Sequence, residues 1–370
     1  MIPQFRFAVV SDLHIALPHT IWDAPNRFHL VEVSIPAFDQ ILAELVEAEL
    51  DFLLLPGDLV QHGERDNHEW LVNRLAELPF PVYVVPGNHD VILEGGCDRT
   101  LSLNEFIEYY GDFGYTQPDQ PYYHREILSG VHLIALNSNG FDSDGNPFHH
   151  GYLDAAQLDW LDERLAALSG DFVMVMLHHN ALEHLPGQSR SGMGRRYMVK
   201  NATALTQRLK AATVQLMFTG HLHVQDIAQS DDLYEITTGS LVSYPHPYRL
   251  LEMTPDPDGH CQLQVASSRV EAVPDWPTLQ ATSKKWMGER SFPFMMKLLT
   301  GPPLNLPPTE AELYAPKLRD FWAAIAGGDA VFEFPEFPKP LQQYFHHFSA
   351  LDPAGNPRLI DNQATLKLVQ

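Results

Sequence analysis

Cysteine is scarce in this chain, since only Cys97 and Cys261 occur among its 370 residues. Two cysteines are too few for a disulfide framework and are typical of a reducing compartment, although a single pairing between them is left open. Runs of about 18 or more apolar residues, which a membrane-spanning helix needs, are also lacking. The N-terminal residues show no basic stretch ahead of a long apolar one, so no secretory signal is expected. These absences predict a cytoplasmic protein that is not inserted in a membrane.

Basic side chains are outnumbered by acidic ones. The chain has 24 Lys and Arg against 47 Asp and Glu, a formal net charge of −23. Residues 271–370 hold 9 of the basic and 11 of the acidic side chains, so nearly all of the net charge lies in the first 270 residues. Binding to nucleic-acid backbones and to anionic lipids depends on Lys and Arg. We therefore expect neither a long nucleic acid nor a membrane surface as a partner.

Apolar, strand-like segments recur through the first 270 residues, and segments with helical periodicity separate several of them. The strand-like segments are residues 5–10, 52–55, 82–85, 131–136, 172–177 and 216–218. Residues 35–50 and 154–168 have apolar side chains at helical spacing. Strands that alternate with helices predict βαβ units and a largely parallel sheet. After Gly220, antiparallel strands are expected at residues 233–238, 248–253 and 262–266. We interpret residues 1–270 as one α/β sandwich.

The last hundred residues differ in composition, because they contain 13 of the 29 prolines and 13 aromatic side chains. Disordered segments are poor in aromatic residues, so this part of the chain is expected to be folded. Short helices are predicted at residues 283–300, 310–327 and 341–348, with proline-rich turns between them. We interpret residues 271–370 as a mostly helical C-terminal appendage that packs on the sandwich. Whether it covers an active site or mediates formation of a homo-oligomer is left open.

Short polar motifs follow five of the apolar segments. They are Asp12-Leu13-His14, Gly57-Asp58, Gly87-Asn88-His89-Asp90, His178-His179-Asn180 and Gly220-His221-Leu222-His223. In an open α/β sheet, the residues just past the carboxyl ends of the strands converge on one crevice. These carboxylate, amide and imidazole groups would together provide ligands for two metal ions. The motifs therefore predict a metal-dependent hydrolase.

No single motif decides the question. Asp12 and His14 point to the same side of an extended backbone, but a lone Asp-x-His pair rarely binds a metal. Gly57-Asp58 alone is also typical of an ordinary turn. Two imidazoles two residues apart, as in His221 and His223, favour a metal over a buried structural pair. The order and combination of seven such side chains at consecutive strand ends carry the prediction.

This series of side chains resembles the metal-binding pattern of the calcineurin-like metallophosphoesterase superfamily. The resemblance extends over roughly residues 5–255 and is strongest to the branch of class III cyclic-nucleotide phosphodiesterases and glycerophosphodiesterases. Within that branch, the passage from Gly151 to Leu161 and the Gly239-Ser240 pair are similarly placed. The resemblance implies a four-layer α-β-β-α sandwich, with residues 1–270 as the catalytic domain.

The resemblance also implies a role for each motif. One ion would be held by Asp12, His14 and His223, a second by Asn88, His178 and His221, and Asp58 would bridge both. Mixed oxygen and imidazole ligands suit iron, manganese or zinc, as two divalent or trivalent ions, better than calcium or copper. His89 would not bind metal; as the catalytic residue it would protonate the leaving oxygen or hold a phosphate oxygen.

Three further residues are candidates for binding the substrate. His179 follows a predicted ligand, and adjacent side chains of an extended chain point to opposite faces, so it is not expected to bind the same ion. Arg195 and Arg196 lie in a glycine-containing insert with two other basic residues. This insert would grip phosphate or admit substrate; alternatively, it is a solvated turn whose charges pair with surface carboxylates. The His pairs 149–150 and 346–347 are expected to be exposed polar positions.

Departures from the protein phosphatases of the superfamily narrow the reaction. Those enzymes have Asp and Arg where this chain has Gln61 and His62, so protein phosphatase activity is disfavoured. We therefore predict hydrolysis of a small-molecule phosphodiester, of the cyclic nucleotide or glycerophosphodiester type, by attack of a metal-bridging hydroxide. A phosphomonoesterase of the same fold and a non-catalytic scaffold are the alternatives.

Overall fold

The computed structural model describes residues 2–22, 27–256, 260–352 and 354–368. Its strands are β1 (Phe5–Val9), β2 (Phe52–Leu55), β3 (Val82–Val84), β4 (Tyr123–Leu128), β5 (Val131–Ala135), β6 (Phe172–Met176), β7 (Leu216–Thr219), β8 (Asp226–Ser230), β9 (Leu233–Thr237), β10 (Pro247–Pro255), β11 (Cys261–Arg269) and β12 (Gln363–Leu368). Its α-helices are α1 (Ser34–Glu47), α2 (Arg65–Ala76), α3 (Leu103–Tyr109), α4 (Ala155–Ala167), α5 (Ala202–Ala211), α6 (Leu279–Arg290), α7 (Phe292–Thr300), α8 (Pro308–Tyr314), α9 (Phe321–Ala326) and α10 (Lys339–His346). Short 3₁₀ turns lie at Val31–Val33, Gly111–Phe113, Arg195–Tyr197 and Ala315–Leu318.

Two six-stranded sheets form the body of the molecule. The first has the strand order β12-β11-β10-β1-β2-β3 and the second β4-β5-β6-β7-β9-β8. Strands β1, β2 and β3 run parallel, as do β5, β6, β7 and β9. The remaining pairings are antiparallel. The predicted α/β sandwich is confirmed, and β9, which had been expected among the antiparallel strands, pairs antiparallel with β8 but also parallel with β7.

Alternating side chains explain the layers. Successive residues of a strand point to opposite faces of its sheet. In β6, Met174 and Met176 join the large apolar core between the sheets, whereas Val173 and Val175 join a separate cluster. That second cluster contains the buried leucines of α4 and α5, so these helices cover the outer face of the second sheet. Helix α1 contributes its apolar face to the same large core as Met174 and Met176. The two sheets and the helices packed on them agree with the predicted α-β-β-α sandwich.

The C-terminal segment is helical, as predicted, but its elements differ from the predicted ones. The single helix expected at residues 283–300 is two helices, α6 and α7, because Pro293 stands at the first turn of α7, where its missing N–H costs nothing. The helix expected at residues 310–327 is divided into α8, a 3₁₀ turn and α9. The chain then returns as β12, a strand that the sequence analysis did not predict, and pairs antiparallel with β11.

Two findings bear on the expectations drawn from scarce residue types. Cys97 is exposed and Cys261 is buried, and both are free thiols, so the pairing left open by the sequence does not form. Among the described residues, every helix is too short or too polar to cross a membrane.

Candidate metal centre

Each of the five polar motifs directly follows a strand of a parallel block. The motif with Asp12 and His14 follows β1, that with Asp58 follows β2, and that with Asn88 follows β3. The two remaining motifs follow β6 and β7 in the other sheet. Because the two sheets face each other, their carboxyl ends meet, and all seven predicted ligands lie in one cluster.

The first group of donors contains Asp12, His14, Asp58 and His223, whose donor atoms all lie within 4.8 Å of one another. His223 Nε2 lies 3.0 Å from Asp12 Oδ1, and His14 Nε2 lies 3.7 Å from Asp58 Oδ2. Both ring nitrogens of His14 are buried and have no hydrogen-bond partner among the described residues. A buried imidazole without a partner is costly unless a cation takes its lone pair.

The second group contains Asp58 again, with His178 and His221, and the same 4.8 Å limit holds. His178 Nε2 lies 3.3 Å from Asp58 Oδ2 and 3.1 Å from His221 Nδ1. The amide oxygen of Asn88 is 3.3 Å from His178 Nε2. Asp58 is therefore common to both groups, as a carboxylate that bridges two ions must be.

Hydrogen bonds outside the cluster orient the ligand atoms. His178 Nδ1 donates to the carbonyl oxygen of Pro56 at 2.8 Å, which leaves Nε2 for the cluster. His221 Nε2 donates to the carbonyl oxygen of Arg196 at 3.2 Å, which leaves Nδ1. Ser11 Oγ donates to Asp12 Oδ2 at 2.5 Å. Second contacts of this kind fix the tautomer and ring orientation of metal ligands.

Five of the seven ligand positions have left-handed backbone conformations, which are uncommon for residues other than glycine. The φ angles are 51° at Asp12, 42° at His14, 50° at Asp58, 65° at His221 and 59° at His223. Such conformations cost on the order of 1–3 kcal/mol each and persist where the surrounding structure enforces them, often at functional sites. The turns after the strands are thus bent specifically to aim these side chains inward.

Glycines next to the ligands allow the strand ends to approach each other closely. Gly57 has a φ of 93°, and a Cβ there would lie 2.5 Å from the Nδ1 atom of His178. A Cβ on Gly87 would lie 2.2 Å from the backbone nitrogen of Asp58. The glycines of the Gly57-Asp58 and Gly87-Asn88 motifs are therefore required by the site and not merely by a turn.

Burial and mutual charge set the protonation of the cluster. Burial lowers the pKa of His14 well below its ordinary value, and it does the same for His221. Burial alone would raise the pKa of the Asp58 carboxyl, but His178, His89 and His14 together outweigh this effect and hold that pKa well below its usual range. For His178 the effects are reversed: burial lowers its pKa, whereas the charge and hydrogen bond of Asp58, together with Asp12 and the Pro56 carbonyl, raise it to about 9. His178 is therefore the imidazole that must release a proton for a cation to bind.

His89 is close to the cluster but outside both donor groups. Its backbone N–H donates to Asp58 Oδ1 at 2.8 Å, and its Nδ1 donates to the carbonyl oxygen of Gln61 at 2.6 Å. The His89 ring stacks on that of His62 with a centroid distance of 5.0 Å. The residues that replace the phosphatase Asp and Arg thus lie directly against the predicted catalytic imidazole.

A cavity of about 750 Å³ opens over the cluster. His179 and Arg196 line this cavity, whereas Arg195 is not among the described residues that do so. Their roles in substrate binding stay predictions. His149, His346 and His347 are exposed as expected, whereas His150 is half-buried. His149 also lines the cavity.

Residues from distant parts of the chain complete the cavity, and sequence reasoning missed them. Met287, Phe294 and Trp322 come from the C-terminal helices, and Phe28 and Phe148 come from loops. His29 lies beside the first donor group and could form a metal-binding set with His14 and His223. It does not follow a strand, so the rule that found the other ligands could not find it.

The donor set fits two metal ions on observations of this structure: a carboxylate shared by two groups, convergent imidazole nitrogens, and a buried imidazole without a partner among the described residues. Oxygen and imidazole donors of this mixture suit iron, manganese or zinc.

Comparison with known proteins agrees with this geometry. Residues 5–225 match the family model described as calcineurin-like phosphoesterase. The chain is 28% identical over 199 residues to a 3',5'-cyclic-nucleotide phosphodiesterase from Nostoc sp., covering 53% of this chain and 65% of the relative. It is 28% identical over 237 residues to the 3',5'-cyclic adenosine monophosphate phosphodiesterase of Haemophilus influenzae, covering 63% and 76% respectively. The chain thus spans slightly less than two thirds of the length of the Nostoc relative.

Among solved structures, a dimetal phosphatase from Danio rerio is similar with a TM-score of 0.56 and 14% identity. The similarity covers 72% of this chain and 96% of that chain. At this identity the likeness concerns the fold, which agrees with the two-sheet sandwich described above.

Proposed function

The chain belongs to the calcineurin-like phosphoesterase family, and we propose that it is a metal-dependent enzyme that hydrolyses a small-molecule phosphodiester. The observation that carries this proposal is Asp58, whose carboxylate is common to two groups of convergent donors. A shared carboxylate of this kind is what an enzyme with two neighbouring metal ions requires.

The proposed ligand assignment follows the two donor groups. Asp12, His14 and His223 hold one ion, Asn88, His178 and His221 hold the other, and Asp58 bridges them. When bound, two such ions neutralise charge on the phosphate oxygens and make water a better nucleophile near neutral pH. Iron, manganese and zinc all suit these donors, and the availability of each metal in the cell helps to decide which ions bind.

His89 is proposed to act as the acid of the reaction. Because its Nδ1–H is held by the Gln61 carbonyl oxygen, Nε2 is the ring nitrogen available to the substrate. His89 also lines the cavity, so Nε2 is placed to protonate or hold the oxygen of the leaving group.

The charges around the cavity favour a diester over a monoester. A phosphate monoester dianion needs more positive charge around it than a diester monoanion. Arg196 is the only Lys or Arg among the described residues that line the cavity. Its guanidinium carbon lies 4.6 Å from the Tyr197 ring centroid and its Nη2 donates to the Tyr197 hydroxyl, so it is already engaged.

The apolar lining of the cavity favours a substrate with an aromatic base. Met287, Phe294 and Trp322 line the same cavity as the predicted ligands, and the Phe294 and Trp322 rings contact each other at a centroid distance of 5.1 Å. Nucleobases stack on aromatic side chains, whereas a glycerol group has no ring with which to do so. We therefore propose a cyclic nucleotide ahead of a glycerophosphodiester as the substrate. A cytoplasmic location and self-association through residues 271–370 stay predictions from the sequence.

Hydrolysis assays on the purified protein test this proposal. After metal analysis, the protein is assayed on cyclic AMP, bis(p-nitrophenyl) phosphate and p-nitrophenyl phosphate, each with and without a chelator. We expect bound metal, diester hydrolysis that a chelator abolishes, and a slower reaction on the monoester. A strong preference for the monoester would indicate a phosphomonoesterase instead. A metal-loaded protein inactive on all three would favour the non-catalytic scaffold.

A further inference from the structure

His29 is an imidazole that lies against the first donor group without belonging to a strand-end motif. Its ring centroid is 4.4 Å from that of His14 and 4.6 Å from that of His223. One nitrogen from each of these three rings falls within a common distance of 4.8 Å. His29 therefore shares two imidazoles, His14 and His223, with the donor group that also contains Asp12 and Asp58.

The backbone around His29 is held firmly in place. The N–H of Leu30 donates to the carbonyl oxygen of Val242 at 2.7 Å, and Leu30 is buried. Val31 packs with Val242 and Ala16 in a small apolar cluster beside the loop that carries the first motif. Fixed contacts on the residues that follow His29 place its ring reproducibly, as a ligand position requires.

The other contacts of His29 do not account for it as a structural residue. None of the described residues hydrogen-bonds its ring, and its nearest rings are other imidazoles. Imidazoles that face each other repel when protonated, and each neutral ring still presents one lone-pair nitrogen that a metal ion can bind. A shared cation is the arrangement that makes such a group of rings favourable.

We propose that His29 is an additional protein ligand of the ion held by Asp12, His14, Asp58 and His223, an inference that depends on the metal centre of the proposed function. A fifth protein donor leaves fewer positions on that ion for water or substrate. It also adds a third imidazole, which favours zinc, cobalt or iron over harder ions such as magnesium.

Cobalt binding by purified, metal-free protein tests this role without any assay of activity. The wild type, His29→Ala, His29→Gln and His149→Ala are titrated with Co²⁺ and followed by calorimetry and visible absorption. His149 is the matched control because it is an imidazole that lines the same cavity but belongs to neither metal-binding group. Circular dichroism establishes that each variant is folded.

We expect two Co²⁺ ions per chain in the wild type and in His149→Ala, with the same affinities and the same absorption bands. In both His29 variants one of the two binding steps weakens by about tenfold or more, and the visible bands change because the donor set of one ion has changed.

Unchanged affinities and bands in a folded His29 variant would overturn the inference, and His29→Gln decides if His29→Ala does not fold. A wild type that binds no Co²⁺ would overturn the metal centre itself and the role of His29 with it. Failure of the proposed function is therefore recognised in the wild type, and failure of this inference alone only in the variants.

Discussion

The two walls of the cavity are built in different ways. The polar wall, formed by Asp58, Asn88, His89, His221 and His223, stands on the ends of strands, and backbone geometry aims its side chains. The apolar wall, formed by Met287, Phe294 and Trp322, stands on helices, and Phe294 and Trp322 pack against an apolar cluster built mainly from the C-terminal segment. The polar wall carries the groups proposed to bind metal and to act on a phosphate, whereas the apolar wall offers hydrophobic and aromatic surface. This difference suggests that reaction and substrate choice are divided between the walls.

The two walls nevertheless share a contact. Leu222, between the ligands His221 and His223, is buried in the apolar cluster of the C-terminal helices. Three residues further on, the N–H of Gln225 donates to the carbonyl oxygen of Ala326 in α9 at 3.1 Å. The C-terminal helices therefore pack directly on the turn that presents two imidazoles.

The largest effect is expected from the polar wall, in His89→Ala. Loss of a positioned general acid typically lowers turnover by about 10²–10⁴-fold. We expect a loss of this size in kcat on cyclic AMP and on bis(p-nitrophenyl) phosphate alike, with metal content unchanged because His89 is outside both donor groups. Steady-state kinetics with metal analysis measures both quantities. Full turnover in a metal-loaded variant would exclude the acid role.

A smaller and more selective effect is expected from the apolar wall, in Trp322→Ala. Stacking of a base on an aromatic side chain is worth about 1–3 kcal/mol, so KM for cyclic AMP should rise by roughly tenfold. For glycerophosphoethanolamine, a diester without an aromatic ring, KM should hardly change.

Trp160→Ala is the matched control. Trp160 lies on α4, its ring contacts that of Tyr122, and it is not among the described residues that line the cavity. Equal rises of KM for the two diesters in Trp322→Ala would mean that the wall does not discriminate between substrates. A fall in kcat alone would show that the two walls do not act separately.

The polar wall was predictable from the sequence because each of its ligands follows an apolar strand. The carboxyl end of a parallel strand is a defined place in a sheet, so Asp58 and His178 could be expected to meet although 120 residues separate them. Their meeting depends only on the order of strands and motifs.

The apolar wall and His29 were not predictable in this way. Phe294 and Trp322 look like any aromatic residues of a helical core, and only the packing of α7 and α9 shows that they reach the cavity. His29 depends on a loop whose course is set by contacts with Val242, more than 200 residues away. Such positions are decided by tertiary contacts and leave no periodic pattern.

The predicted boundary between two domains at residue 270 also stays a proposal, because tertiary contacts join the two parts of the chain. Strand β12 returns from the C-terminal segment to pair with β11, so the first sheet includes residues from both predicted domains. Asp361 lies just before β12. Its carbonyl oxygen accepts a hydrogen bond from Arg249 of β10 at 2.6 Å, and its Oδ2 accepts one from the N–H of Asp329 at 2.7 Å. This seam ties the segment to the sandwich.

The smallest effect on activity is expected at this seam, in Asp361→Asn, where stability is the property that changes. Burial, and then the charge of Asp226, raises the pKa of Asp361 from 3.8 to about 7. Between these two pH values the Asp361 carboxyl is ionised in the unfolded chain but protonated in the folded protein. Its contribution to the free energy of unfolding is therefore full below about pH 4 and is lost as pH rises through about 7. Asn does not titrate, so the variant should match the wild type near pH 4 and be more stable at pH 8 by up to about 4 kcal/mol. Urea denaturation at both pH values measures this difference, with Asp162→Asn, an exposed carboxylate on α4, as the control. A difference independent of pH would show that Asp361 is ionised in the folded protein and that Arg249 compensates for its charge.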